Sequence, residues 1–392
     1  MKTVYIDYTS SAPLKNLKHH GVGAYTNTFL LYLQKKPRKG YRFVLIWPDS
    51  YQPRNSLEDS FYSSGFYKVM KVNSLSDVNF ERDSTLFLAG FSSSNDVKGI
   101  HLIKRKNPSL TIIGTVHDVL TKVSLYEPMA RYYRNTPKWK RSLYFIHKPR
   151  MWIRNNILAS VSMKHAVKVL DKIFVNSNFT LRNLVGYKPS ANIIPHYLTT
   201  FPRESVESTG TPKEKYFLFV SGDRPLKNFL RTLEAFCKYK SRNKDNYYMY
   251  VTGVTEELLE LLLRYKQLSR NVVKTYVRPL GYVDDAAMDS LYRNASLLVY
   301  TSRYEGFGLP LIEAARRGVP ALSSYAAAIP EVLGSGAYYV NPMSVQSITD
   351  GMLYMSQSDV LSRYKRWIKE LYPILERKMK LDMELTIQKI LE

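Results

Sequence analysis

The sequence predicts an α/β protein of two domains, each a parallel sheet flanked by helices. Apolar runs of strand length alternate with segments of helical spacing, a polar stretch interrupts the alternation midway, and the same alternation then restarts. A chain of 392 residues, 45% of them hydrophobic, is long enough for two cores.

In the first half, Thr3 to Tyr8, Tyr41 to Trp47, Thr85 to Ala89, Leu110 to Val116, Lys172 to Asn176 and Asn192 to Pro195 read as strands, with helical spacing between them as in Gly23 to Leu33. Phe201 to Lys215 carries two prolines and a glycine among polar residues and reads as an interdomain linker. Beyond it, Tyr216 to Ser221, Tyr247 to Thr252, Val272 to Val277, Ser296 to Thr301, Pro320 to Ser323 and Tyr338 to Asn341 read as the strands of the second domain. The tail from about Asp359 is helical and strongly charged. Parallel sheets of this kind bind ligands at the carboxyl ends of their strands, so the loops there are where chemistry is expected.

Composition narrows the function classes. The single cysteine, Cys237, excludes a disulfide or a cysteine-cluster metal site within the chain and fits a reducing cytoplasm. The N-terminal MKTVYIDYTS reads as a strand rather than a signal peptide, and no apolar run approaches the roughly 18 residues that span a bilayer, so a soluble or peripheral protein is expected. A net charge of +24 calls for an anionic partner. From Val119 to Leu170 there are eleven Lys and Arg against one acidic residue, Glu127, interleaved with Tyr132, Tyr133, Trp139, Tyr144, Phe145 and Trp152. The part from 131 to 154 is therefore expected to attach the protein to an anionic membrane surface. Nucleic acid is disfavoured, because no zinc finger, RNP-like motif or Gly-x-x-Gly clamp accompanies the charge. No His, Asp and Glu cluster has metal-ligand spacing and no Asp-x-Asp follows a strand, so neither metal nor cofactor is expected.

The most specific stretch is Glu305-Gly306-Phe307-Gly308-Leu309-Pro310-Leu311-Ile312-Glu313. It follows a strand-like run, turns through two glycines and enters a helix at Leu309, where Pro310 suits the first turn. A helix start of this kind attracts phosphate through its unpaired N–H groups and the positive end of its dipole. Two glutamates beside an anion site are repulsive unless they address another part of the ligand, and hydroxyl groups are the natural targets: a sugar ring for Glu305, a ribose for Glu313.

Glu-Gly-Phe-Gly-Leu-Pro-x-x-Glu resembles the Glu-x7-Glu signature of the retaining glycosyltransferases of family 4, and the resemblance extends over nearly the whole chain. It implies the GT-B architecture, two Rossmann-like domains facing a cleft with a C-terminal helix crossing back to the first. The expected boundaries are 1–205 with about 366–392 for the acceptor domain and 206–365 for the donor domain. Val220 to Asn228 resembles the family's Arg-Lys-Asn element at the donor diphosphate, with Lys227 as the cation and Ser221 and Asn228 nearby. Leu226 stands where that arginine is common, the position six before Lys227 is Ser221, and Arg224 would supply the missing charge. His117-Asp118 resembles the family's His-Asp, His117 lining the sugar site as a hydrogen-bond donor. Gly21-Val22-Gly23, after His19 and His20, resembles the glycine loop of the first domain, and Gly281-Tyr282-Val283 the segment beside the nucleotide base. What the resemblance implies is metal-independent transfer of a hexose or deoxyhexose, as in GDP-mannose, UDP-hexose or dTDP-rhamnose, to a lipid-linked surface glycan at the inner face of the membrane. A soluble acceptor is the alternative.

Overall fold

The computed structural model describes residues 1–12, 21–53, 55–91, 94–118, 133, 167–186, 192–198, 214–265 and 268–392. The chain forms two compact units, one from Met1–Ser124, Ile153–Phe201 and Glu376–Glu392, the other from Leu125–Trp152 and Pro202–Leu375.

The first unit holds β1 (Lys2–Asp7), β2 (Tyr41–Pro48), β3 (Lys68–Val72), β4 (Thr85–Leu88), β5 (Thr111–Val116), β6 (Lys172–Val175) and β7 (Ile193–Pro195). They make a parallel sheet in the order β3-β2-β1-β4-β5-β6-β7. The chain winds outward from β1 in one direction and returns to its other side as β4, which opens a crevice at the carboxyl ends of these two strands. The helix Gly21–Lys35 starts beside it. A Cβ added to Gly90, two residues past β4, would lie 2.2 Å from the Val22 side chain. Residue 90 must therefore be glycine for the first turn of this helix to pack where it does, and Gly21 to Gly23 open the helix rather than form the expected loop.

The long C-terminal helix Ser358–Leu391 ends on this unit. Glu384 pairs with Lys36 and Arg38. The Tyr41 hydroxyl donates to the Leu391 carbonyl at 2.9 Å, and the Asp382 carboxylate accepts from the Tyr197 N–H at 2.9 Å.

The second unit holds β8 (Tyr216–Phe219), β9 (Tyr248–Thr252), β10 (Val277–Gly281), β11 (Leu297–Tyr300), β12 (Ala321–Ser324) and β13 (Ala337–Val340). They form a parallel sheet in the order β10-β9-β8-β11-β12-β13. The same winding puts β8 beside β11, so the loops after these two strands share one crevice. The helix Phe229–Arg242 covers the sheet with Phe229, Leu233, Phe236 and Cys237, an i, i+4, i+7, i+8 stripe. Burying each of its large apolar side chains contributes about 1.5–3 kcal/mol. Burial also pushes the Cys237 thiol up to about 11, so it stays protonated in this core.

Two strand expectations are corrected. Val272 to Val277 is not a strand: Arg270–Tyr276 is helical, with the Ser269 hydroxyl accepting from the Val272 N–H at 3.4 Å, and the strand is the following Val277–Gly281. That strand contains Pro279 and ends in Gly281, which is tolerated because β10 is an edge and Pro279 has an open side for its missing donor. The edge strand of the first sheet, Lys68–Val72, lies where the sequence pattern gives no strand. It is half-exposed and carries two lysines, features that protect an edge from further pairing and weaken its apolar pattern.

Candidate functional site

The loop after β8 is held tightly. Ser221 and Asn228 both have left-handed backbone, with φ of 58° and 71°. The Ser221 N–H reaches the Thr252 hydroxyl at 3.2 Å and the Gly222 N–H the Thr252 carbonyl at 2.8 Å. Asn228 is 2% exposed. Its amide nitrogen donates to the carbonyls of Thr301 (3.1 Å) and Pro342 (2.7 Å), and its oxygen accepts from the Arg231 guanidinium at 2.8 Å. All its bonds lie within the fold, so Asn228 ties the β8 loop to the end of β11 and aims the residue before it.

That residue is Lys227. Its Nζ donates to Glu305 Oε1 at 2.7 Å and to the Tyr300 hydroxyl at 2.9 Å, and it lies 4.7 Å from the centroid of the Tyr300 ring. The Lys227 and Glu305 side chains are only 12% and 16% exposed, so this pair is screened far less than a surface pair and each partner depends on the other. Burial and the Glu305 charge push the Tyr300 phenol well above its ordinary value.

Glu305 lies between β11 and the helix Leu309–Arg316. Its carbonyl accepts from the Ala328 N–H at 3.3 Å. Tyr304 and Phe307 are buried at 5% and 4% exposure and anchor the loop by their side chains. Gly308, with φ of 115°, turns the chain into the helix, and Pro310 occupies its first turn. The N–H groups of Gly308 and Leu309 make no hydrogen bond among the described residues. Glu313, one turn into the helix, accepts from the Tyr292 hydroxyl at 2.8 Å. The two carboxylates thus have separate partners, Glu305 a cation and Glu313 a phenol.

Around this core, the Arg224 guanidinium is exposed and has no partner among the described residues. The Gly281 N–H donates to the Val254 carbonyl at 2.8 Å and its carbonyl accepts from Gly253 at 2.5 Å, which closes β10 and leaves Tyr282 61% exposed and Val283 half-buried.

In the first unit, His117 follows β5 and its Nε2 lies 2.8 Å from the Ala89 carbonyl. A carbonyl only accepts, so Nε2 carries the proton and donates within the fold. Asn176 donates to the His117 carbonyl at 2.7 Å. Behind it, the buried Tyr25 ring meets His117 and His196 edge-on, at centroid separations of 5.2 and 5.5 Å. The Thr386 hydroxyl gives its proton to the Asp382 carbonyl, so the 2.8 Å contact with His196 Nδ1 is donated by the histidine. Burial, with His117 adding to it, pushes the His196 imidazole down to about 3.

The structure brings Lys227 and Glu305 into direct contact, with Ser221 and Asn228 on the loop that carries the lysine. His19, His20 and, apart from Tyr133, the basic segment 131–154 lie outside the described residues. Tyr300, Tyr292 and Gly90 were missed. The one legible signal was Tyr300, a polar-tipped aromatic ending a buried strand.

Two units with this parallel winding, and a C-terminal helix ending on the first, define a GT-B fold. HepE from Anabaena, solved with UDP and glucose, superposes over 100% of this chain and 99% of its own with a TM-score of 0.68 at 12% identity, which speaks for the fold alone. Residues 202–372 match the family glycosyl transferases group 1, and this segment, which includes Lys227, Glu305 and Glu313, belongs to it. An O-antigen chain mannosyltransferase B of Escherichia coli is 32% identical over 144 residues, 37% of either chain. The O-antigen chain mannosyltransferase RfbU of Salmonella typhimurium is 32% identical over 158 residues, 40% of this chain and 43% of its own. The matched stretch thus spans less than half of the length of these relatives.

Proposed function

We propose that the protein is a retaining glycosyltransferase that moves a hexose, mannose first among the candidates, from a nucleoside diphosphate to a hydroxyl of a growing surface glycan. The observation that carries this reading is the contact between Lys227 and Glu305, which joins the loops after β8 and β11 next to a helix start with unbonded N–H groups. The donor diphosphate lies against the 306–309 main chain and the Lys227 ammonium. Breaking the sugar–phosphate bond leaves charge on the β-phosphate, and a fixed cation there stabilises the transition state more than the ground state. Glu305 takes a sugar hydroxyl, Glu313 the ribose, and the main chain at Gly281 to Val283 the base, with Ser221 and Arg224 flanking the diphosphate. The acceptor hydroxyl attacks on the side the phosphate leaves, and the departing oxygen takes its proton, so the protein supplies position and charge.

The names of the two O-antigen relatives support a mannosyl donor and a surface-polysaccharide acceptor. Among the described residues no helix is long and apolar enough to cross a membrane, so a lipid-linked acceptor is reached by peripheral attachment at the inner face, for which the basic aromatic segment 131–154 is the candidate. Thermal shift with GDP, UDP, ADP and dTDP tests the donor site. One nucleotide is expected to raise the melting temperature, and its hexose conjugate to be consumed when a glycan acceptor is added. No shift with any of the four would refute the site.

A further inference from the structure

Tyr300 is assigned no part in the reading above, yet it touches the group on which that reading turns. It is the last residue of β11, 2% exposed, with its hydroxyl against the Lys227 ammonium. An ammonium has three protons. Lys227 spends one on Glu305 Oε1 at 2.7 Å and one on the Tyr300 hydroxyl at 2.9 Å, and these are its only side-chain hydrogen bonds among the described residues. The third N–H direction is left for a ligand. A lysine side chain has four rotatable bonds and loses entropy when fixed. Two short bonds to groups of the protein itself remove that freedom.

We propose that Tyr300 is a positioning residue for glycosyl transfer, its hydroxyl and ring holding the Lys227 ammonium, together with Glu305, so that the remaining N–H meets the diphosphate oxygen that gains charge. The inference rests on the proposed function and adds a residue to it. The Tyr300 proton is free to turn to the Glu305 carboxylate while its oxygen lone pair takes the lysine, so the three groups close into one network. Position held in advance matters most when charge develops, so it is expressed in turnover rather than in binding.

Tyr300→Phe keeps the ring and removes the hydroxyl. With GDP-mannose as donor and nucleotide release as readout, kcat is expected to fall about tenfold while KM for the donor and the affinity for GDP stay within twofold. Because Tyr300 acts through Lys227, the double variant Tyr300→Phe with Lys227→Ala should be no slower than Lys227→Ala alone. Effects that multiply, or a Tyr300→Phe enzyme at the full rate, would overturn the proposal. Lys227→Arg is a second arm that leaves Tyr300 intact: the wide guanidinium keeps the charge but cannot sit between the two holders, so at least a tenfold loss is expected, and a rate within threefold of the native enzyme would count against positional holding. A Lys227→Ala enzyme with undiminished rate would instead sink the assignment of the site, whatever Tyr300 does.

Discussion

Replacing Asn228 by alanine tests how the site is held. The substitution removes two bonds donated to the buried carbonyls of Thr301 and Pro342 and one accepted from Arg231. Neutral bonds contribute about 1 kcal/mol each and the bond from a charged donor about 1.5–3, so roughly 3–5 kcal/mol is lost. The backbone separates the two replacements, because at φ of 71° a Cβ costs about 1 kcal/mol in asparagine and alanine alike and glycine escapes it. Asn228→Ala is therefore expected to lose about 3–5 kcal/mol, and Asn228→Gly about 1 kcal/mol less. For a unit of this size, with about 2–4 °C of Tm per kcal/mol, the alanine variant should melt roughly 6–20 °C lower, with glycine a few degrees above it. Urea unfolding followed by tryptophan fluorescence and scanning calorimetry measure both. An alanine variant of native stability, or one more stable than the glycine variant, would refute the argument.

Lys227→Ala should slow transfer by roughly two orders of magnitude, the scale of losing one donor to a developing oxyanion, with nucleotide release as the readout. Glu313→Gln is expected to weaken nucleotide binding by calorimetry while leaving the melting temperature within a few degrees, and Tyr292→Phe to weaken it less, since the phenol only orients the carboxylate. His196 gives a pH signature. Its folded value lies near 3 against an ordinary 6.5, so the unfolded chain takes up a proton that the folded one refuses. The stability it contributes is complete above pH 6.5 and falls as the pH drops toward 3, by about 2 kcal/mol at pH 5. Between pH 7 and 5 the native protein should lose about that much more stability than His196→Gln in urea titrations, and equal losses would contradict the burial of a neutral imidazole.

The fold was legible where patterns were strong. The buried central strands read as continuous apolar runs, because both of their faces are covered. The edges did not. Lys68–Val72 carries lysines for protection, and Val277–Gly281 holds a proline and a glycine that only an edge tolerates, while the β-branched run before it is helical because Ser269 caps it. At the site, Glu305, Glu313 and Lys227 could be singled out one by one from residue type and loop position. Their pairing could not. That Glu305 takes Lys227 while Glu313 takes Tyr292 depends on β8 lying beside β11, a neighbourhood set by sheet order across some 80 residues of chain. The left-handed turn at Asn228 was equally hidden, since asparagine beside a lysine reads first as a ligand contact and only the burial of its amide shows it to be a tie.

The most direct test of retaining hexosyl transfer is the anomeric configuration of the product. With GDP-mannose and a mannosyl acceptor, followed by proton NMR from the first turnovers, the new linkage should carry the α configuration of the donor, and its signal should grow roughly a hundredfold more slowly in Lys227→Ala. A β-linked product would contradict the account.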